Sequence, residues 1–410
     1  MDATPPKPPA DTARLRPSAG PLLALLMAMT AIGPLSLNIL VPATPGLVAT
    51  LKTDPATVQL TVSLYLLGLA VSQLALGPLS DRFGRRPVVL CGLIVTVVSS
   101  FVALFASNIG EIILARTIQA FGASTGLVIG RAIIRDLYDR ERAAAMIGWV
   151  ATVMVVAPMV TPLIGGILDT AFGWEATFVF VGVYALLVLF WSWTSLQETR
   201  PDHVTSGGLR FLVRETRALF KSRAFNAYVL AATLGSATFF AFLGGSPHVV
   251  IELMGESSAA YGAWFIITAF GYMLGNFAAA SLSPRFGIDT MIRAGLGIEV
   301  FGALVTILAV WLFPFGGPAT IFPTQFLVSF GNGTLLPNAI AGAVSVRPQA
   351  AGTASGIVGC TQMAVGALAA QGTSWIVAGS TTALPMAFTI FLIGLAAMVG
   401  YAALMRGIRD

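Results

Sequence analysis

Charge is scarce in this chain. Of 410 residues only 10% are Asp, Glu, Lys or Arg, against the roughly 25% usual in soluble domains. Hydrophobic residues make up 56% and the mean hydropathy is +0.85. So little charge cannot cover a water-facing surface, which excludes an ordinary soluble protein. Cysteine is rarer still: Cys91 and Cys360 both fall in apolar stretches without metal-ligand spacing, so a disulfide framework is excluded and both are expected to be packing residues. The two histidines, His203 and His248, have no Asp, Glu or Cys cluster around them inside an apolar stretch, which argues against a membrane-embedded enzyme and against a metal or other cofactor. A G-x-x-x-x-G-K-[ST] phosphate loop is also missing, so no ATP-driven engine is visible.

Long apolar runs are what the chain has in abundance. Twelve stretches approach or exceed the ~20 residues that cross a bilayer, the first at Pro21 to Leu40 and the last at Leu384 to Met405. An all-α membrane protein of twelve transmembrane helices in two six-helix halves is expected. Its parts are a disordered tail over 1–20, a first half over 21–196, a linker over 197–223, a second half over 224–405 and a short tail over 406–410. Of the 23 Lys and Arg residues, all but Lys52 and Arg116 fall on one side when the N-terminus is placed inside. Cytoplasmic loops collect such cations, so both termini are expected in the cytoplasm. The net charge of +5 then reports topology and not affinity for nucleic acid. The lipid bilayer is the expected partner, and a monomer the expected state.

The chain is also duplicated. Leu79-Ser-Asp-Arg-Phe-Gly84 and Leu282-Ser-Pro-Arg-Phe-Gly287 spell L-S-x-R-F-G at an offset of 203 residues, each between the second and third spans of its half. In the linker, Arg210, Arg214, Arg217 and Lys221 recur at helical spacing opposite Leu212, Leu219 and Phe220. This pattern fits either an amphipathic helix on an anionic inner leaflet or a solvated connection with incidental periodicity.

Extended, the first copy reads Gly77-Pro-Leu-Ser-Asp-Arg-Phe-Gly-Arg-Arg-Pro87 and resembles the signature loop of the major facilitator superfamily. Gly77 and Gly84 suit close approach and a tight turn, Arg82, Arg85 and Arg86 hold the loop at the cytoplasmic face, and Asp81 is the lone acid among them. The resemblance implies that Asp81 contacts the start of the eleventh span, near Ala350 to Gly352, together with Arg131 or Arg135, as a latch between the halves. The alternative is an acid that only balances local charge. The second copy has Pro284 in place of the acid.

Further motifs resemble twelve-span drug exporters, and the bicyclomycin-resistance (Bcr/CflA) branch in particular. They are Leu40-Val-Pro-Ala-Thr-Pro45, Leu114-Ala-Arg-Thr-Ile-Gln-Ala-Phe-Gly122, Arg131-Ala-Ile-Ile-Arg-Asp-Leu-Tyr138 and Ala351-Gly-Thr-Ala-Ser-Gly-Ile-Val-Gly359. Pro158 and Pro162 with Gly165 and Gly166 resemble the fifth-span antiporter motif, although Ala157 stands where that motif has glycine. Gly126, Gly130, Gly352 and Gly356 would let helices pack closely. The implied activity is export of small amphipathic drug-like molecules, of bicyclomycin or phenicol type, in exchange for protons across a bacterial inner membrane. An importer of a native metabolite is the alternative.

Arg116 is the one cation left inside a span. Its insertion cost points to a polar cavity between helices, or else to snorkelling toward the outer surface. The resemblance makes it a coupling residue. Asn38, Gln119, Asn332, Asn338 and Gln362 are candidates for a neutral polar lining, and Tyr228, Phe239, Phe240 and Phe242 for an aromatic wall. Asn38 stands where the resembling family carries an acid, and neither an amide nor a guanidinium passes on a proton. Glu299, Glu111 and Asp136 are then the candidate proton carriers, with Glu175, Glu252 and His248 near the outer mouth. A packing role for Glu299 is the competing reading.

Overall fold

The computed structural model describes residues 19–200 and 209–407. The proline-rich tail, residues 201–208 of the linker and the last three residues lie outside it. Among the described residues the regular structure is helical. α1 (Ala19–Ile39) passes through a turn at Val41–Ala43 into α2 (Thr44–Leu51). α3 (Pro55–Phe83), α4 (Arg85–Val102), α5 (Ile109–Ala123), α6 (Thr125–Leu137), α7 (Arg140–Phe172) and α8 (Glu175–Ser195) complete the first half. After the linker helix α9 (Leu209–Phe220) come α10 (Arg223–Pro247), α11 (Ser258–Phe286), α12 (Ile288–Leu312), α13 (Phe322–Ser345), α14 (Ala351–Ala378) and α15 (Leu384–Met405).

Among the described residues, eleven helical segments are long and apolar enough to cross a membrane. The twelfth expected span, α13, has 24 residues but carries Gln325, Asn332 and Asn338, and these dilute its hydropathy. It packs against α10, α11 and α12.

Local chemistry sets the helix ends. Asp54 caps α3 by accepting from Thr57 N at 2.9 Å, with Pro55 at the first helical position. Asp139 caps α7 and Ser257 caps α11 in the same way. Glu111 and Asn108 form a reciprocal capping box at the start of α5, with Asn108 Nδ2 and Ser107 N donating to the Glu111 carboxylate at 2.7 and 2.6 Å. The fourth span breaks at Ser124 into α5 and α6, next to Gly122, and this Gly/Ser pair accounts for the break.

Both copies of the repeated hexapeptide finish the second helix of their half, and both turn on a glycine of positive φ: 101° at Gly84 and 79° at Gly287. Gly84 carries a second constraint. A Cβ there would lie 2.5 Å from Glu198 Oε2, because the Glu198 carboxylate caps α4 by accepting from Arg85 N at 2.8 Å and Arg86 N at 3.2 Å. Arg86 Nη2 donates to Trp193 O, and Arg200 Nη1 to Arg82 O, so the segment after α8 is clasped to this loop. Partial burial pushes the Glu198 carboxyl up, but the amides of Arg200, Arg85, Arg86 and Thr199 outweigh it and hold the group below its ordinary value. The clasp is therefore present at neutral pH and is lost as pH falls through that lowered value.

The second half does without the ionic version of this loop. Asp289 Oδ1 accepts from Tyr228 OH at 2.9 Å and Tyr401 OH at 2.8 Å, joining α10, α12 and α15. The linker helix docks here too. Glu215, which is buried, lies 3.6 Å from Arg347 Nη2, and Leu219 is buried with Phe225 in the core of the second half. Arg214, Arg217 and Lys221 are exposed, as is Phe220. The side chains of Arg210 and Leu212 lie outside the described set.

Two helix pairs, α3 with α14 and α7 with α11, carry most of the contact between the halves. These are the second helix of one half against the fifth of the other, in both senses, as a duplicated chain requires. Among the described residues, the hydrogen bonds joining the halves all sit at one end. They are Ser258 Oγ to Asp169 Oδ2 (2.6 Å), Ala259 N to Thr170 Oγ1 (3.1 Å), Gln371 Nε2 to Ala56 O (2.8 Å) and Ser374 Oγ to Pro55 O (3.5 Å). Backbones touch there as well: a Cβ on Gly166 would lie 2.1 Å from Ser258 O, and one on Gly262 2.5 Å from Pro162 O. Gly165 meets Ile39 O within its own half. At the opposite end, which bears the arginine-rich loops, Gly77, Gly352 and Gly356 face open space. The expectation that Gly352 and Gly356 serve close packing is corrected accordingly. Cys91 is corrected likewise: it is exposed on the outside of α4. The protein is thus sealed at the far end and splayed at the basic end.

Gly166→Val tests the seal. Its branched side chain cannot fit against the Ser258 carbonyl, so a thiol placed in the central cavity as Ser236→Cys becomes reactive to an impermeant maleimide added from the far side. Gly297→Val, where a Cβ meets nothing within 4 Å, leaves that thiol protected. Glu198→Ala removes the cap on α4 and is expected to cost about 0.5–2 kcal/mol of stability, read as a lower midpoint of thermal unfolding in detergent.

Candidate functional site

The splayed halves enclose a cavity of about 490 Å³. α1 contributes Pro34, Leu37 and Asn38, α3 contributes Leu69 and Gln73, and α7 contributes Met154 and Pro158. From the second half come Ser236, Phe239 and Phe240 of α10, Phe265, Tyr272 and Asn276 of α11, Asn332 of α13 and Gln362 of α14. The wall is apolar and aromatic with a few separated polar groups, the composition of a site for small amphipathic molecules. Phe239 stands edge-on to Phe240 at 5.5 Å between centroids.

The polar lining groups are mostly tethered. Asn332 Nδ2 donates to Gly235 O at 2.5 Å, Gln362 Nε2 to Ala232 O at 3.3 Å, and Asn38 Nδ2 to Pro34 O at 2.8 Å. The Asn38 carbonyl is buried without a partner among the described residues. It is a ready acceptor for a donor on a bound molecule.

Several sequence candidates lie elsewhere. Asn338 is buried with its amide on Thr334 O and does not line the cavity. Tyr228 belongs to the Asp289 clasp near the basic end, one turn into α10 and too far along the helix to form cavity wall. Phe242 is fully buried against Phe265 and Phe322 and does not line the cavity.

Arg116 is 1% exposed, and neither it nor Gln119 lines the cavity. Its guanidinium sits 4.1 Å over the Tyr65 ring, donates from Nη1 to Gln119 Oε1 at 2.5 Å, and reaches Thr61 O at 3.4 Å. Gln119 Nε2 passes the chain on to Ser100 Oγ at 2.7 Å, and Tyr65 OH donates to Gly33 O beside Pro34 of the cavity wall. No acid is bonded to Arg116 among the described residues. A π face and neutral acceptors stand in for one. Snorkelling is not what the geometry shows.

The cation that does line the cavity is Arg131, half-buried on α6, with no hydrogen bond or ion pair among the described residues. Asp81 differs from expectation as well. Its carboxylate pairs with Arg85 Nη1 at 2.6 Å, and Arg85 Nε reaches Asp136 Oδ2 at 3.0 Å. Among the described residues no hydrogen bond or ion pair joins Asp81 to the start of α14, where Gly352 faces open space. Arg135 is exposed.

Of the proton-carrier candidates, Glu111 is engaged in its capping box and Asp136 in its ion pair. Glu299 is fully buried between α10, α12 and α13: Thr238 Oγ1 bonds Oε1, and Oε2 has no partner beyond the adjacent Asn332 amide. Asn332 separates it from the cavity. Sequence reasoning passed over Gln73, Asn276 and Asp169, although polar residues within apolar runs were a visible signal.

The Major Facilitator Superfamily model matches residues 26–371. Multidrug resistance protein D of Escherichia coli is 33% identical over 83% of this chain and 85% of its own. The bicyclomycin resistance protein homolog of Haemophilus influenzae is 27% identical over 88% of this chain and 90% of its own. A bacterial homologue of the human lysosomal transporter Spinster, crystallised in an inward-facing and occupied conformation, shares the fold with a TM-score of 0.73 at 18% identity, covering 94% of this chain and 96% of its own. A cavity between the two helical halves, a matching family model over most of the length and relatives of near-equal span lead to one assignment: the chain belongs to the Major Facilitator Superfamily of membrane transporters.

Proposed function

We propose that this transporter exports small amphipathic, drug-like molecules from the bacterial cytoplasm by alternating access, exchanging them for protons. The observation that carries the reading is the aromatic cavity between the halves, open at the basic end and sealed at the far end. With the basic end in the cytoplasm, both termini are inside and the described state is the one that loads substrate. Relatives named for multidrug and bicyclomycin resistance support this class of cargo.

Closing the basic end would bring the Asp81–Arg85–Asp136 group and Arg131 toward the start of α14. There the free backbone amides of the helix attract a carboxylate, so the latch belongs to the outward-facing state. Glu299 is the proposed proton carrier. An unpaired carboxylate is costly in so dry a place, and taking up or releasing one proton on the cavity side is the chemistry it offers. A second reading, import of an anionic metabolite, rests on Arg131, the unpaired cation in the cavity.

Reconstituted vesicles decide between these readings. Drug movement against its gradient under an imposed pH difference, abolished by an uncoupler, is expected for the exporter, whereas inward accumulation of an anion marks the alternative. Glu299→Gln is expected to lower uphill transport on the order of tenfold, equivalent to about 1.4 kcal/mol, while downhill exchange persists. Unchanged uphill transport returns Glu299 to a packing role. Arg116→Ala leaves buried acceptors without their donor, at about 1–3 kcal/mol each, and is expected to lose transport and thermal stability together. Arg116→Lys restores little, because an ammonium lacks the planar fork and its stacking on Tyr65.

A further inference from the structure

We propose that the cargo of the central cavity is an amphipathic organic anion, and that Arg131 is the residue that receives its anionic group. This inference rests on the cavity as the loading site and deepens that reading by naming the charge of the cargo.

The packing of α6 decides where this arginine points. Gly126 lies against the Met29 carbonyl of α1, with no room for a Cβ, and Gly130, one turn on, faces Thr30 and Leu26 of the same helix. Leu127 and Arg131 each follow by one residue, about 100° further round the helix, and both line the cavity. The contact that seats α6 on α1 therefore turns Arg131 inward, where it is half-buried.

Charge on the cavity wall is one-sided. Of the residues that line it, Arg131 alone carries a charge, and no Asp or Glu is among them. The charged group close enough to act on Arg131 is Arg135, one turn further along α6 and of the same sign. The acids of the neighbourhood are committed elsewhere: Asp81 and Asp136 pair with Arg85, and Glu299 is buried behind Asn332 with Thr238 on its carboxylate. Like charges one turn apart on a helix repel, and the counter-ion that relieves them is supplied by the cargo. A guanidinium offers a planar fork of donors that matches a carboxylate. The opposite wall suits the other end of such a molecule. Phe239 packs edge-on against Phe240 and Phe265, at 5.5 and 6.4 Å between centroids, and the three rings form an apolar corner for an aromatic body. A lipophilic cation finds no acid on this wall and meets a charge of its own sign, so an aromatic face is the one attraction left to it. Arg131 thus sets the charge of the cargo, and the direction of movement is a separate property.

The test compares three probes that share a naphthalene body: 2-naphthoate, 2-naphthamide and 2-naphthylmethylammonium. Binding to the full chain in phosphatidylcholine nanodiscs is measured by calorimetric titration at about pH 7.5, where the acid is ionised and the amine protonated, with empty nanodiscs as the blank. The naphthoate is expected to bind about tenfold more tightly than the amide, the difference between a charged and a neutral hydrogen-bonded pair, and the ammonium more weakly than the amide. Arg131→Gln is expected to bring the naphthoate down to the affinity of the amide, and unchanged amide binding shows that the cavity is intact. Arg131→Lys keeps part of the preference. A naphthoate that binds no more tightly than the amide, or an ammonium that binds as tightly as the naphthoate, overturns the proposal on the parent protein alone, whether or not a variant folds. So does a preference that survives Arg131→Gln, or one removed by Arg135→Gln instead, which would move the anion to the exposed end of α6. Equilibrium binding is blind to direction and to coupling. A naphthoate preference in a protein that does not export the probe under a pH gradient would leave this inference standing and sink the antiport reading. Uphill export of the amide and the ammonium without any preference for the naphthoate would do the opposite.

Discussion

Everything in this structure depends on backbone meeting backbone at the far end, where Gly166 lies against the Ser258 carbonyl and Gly262 against that of Pro162. In lipid, no hydrophobic driving force presses one helix on another, so association needs close van der Waals contact and a few polar bonds. Both kinds of contact are concentrated in the α7–α11 and α3–α14 pairs. The cavity exists because those contacts stop partway along the helices and the basic ends diverge. Gly352 and Gly356 belong to the same small-residue pattern, yet they face open space. They are surfaces for a state in which the seal is at the other end.

The two repeats have solved the same turn with different chemistry. In the first, a buried arginine joins Asp81 to Asp136, and a carboxylate from beyond α8 caps the following helix. In the second, one aspartate gathers two tyrosine hydroxyls. The ionic version has partners to exchange when the halves move, since Arg85 serves two acids and Arg131 serves none. The phenolic version is a closed set within its own half. Duplication thus supplied two equivalent corners, of which one is equipped to change partners and the other to stay fixed.

The helical membrane fold was legible because hydropathy and the repeated hexapeptide report it directly. α13 is the exception, and for a physical reason: the amides that bring Asn332 to the cavity also lower its hydropathy. Cavity residues were legible where a polar or aromatic side chain sits in mid-helix, as with Asn38, Phe239 and Gln362. Tyr228 and Asn338 have the right chemistry on the wrong turn or face, and a linear sequence does not say which helix faces which. Arg116 was legible as costly but not as enclosed, because Thr61 and Tyr65, which help to hold it, lie on another helix. Asp169 was missed since its meaning comes from Ser258, 89 residues away.

The surroundings of Arg116 also bear on how the chain is made. All the helices that shelter it, α3 with Thr61 and Tyr65 and α4 behind Gln119, precede α5 in the sequence. Synthesis runs from the N-terminus, so the Thr61 carbonyl and the Tyr65 ring are already in the membrane when the arginine arrives. A charge that would be expensive in an isolated span meets a prepared socket. Circular permutation that placed α5 ahead of α3 would keep every contact of the finished fold and still expose the arginine to lipid during assembly.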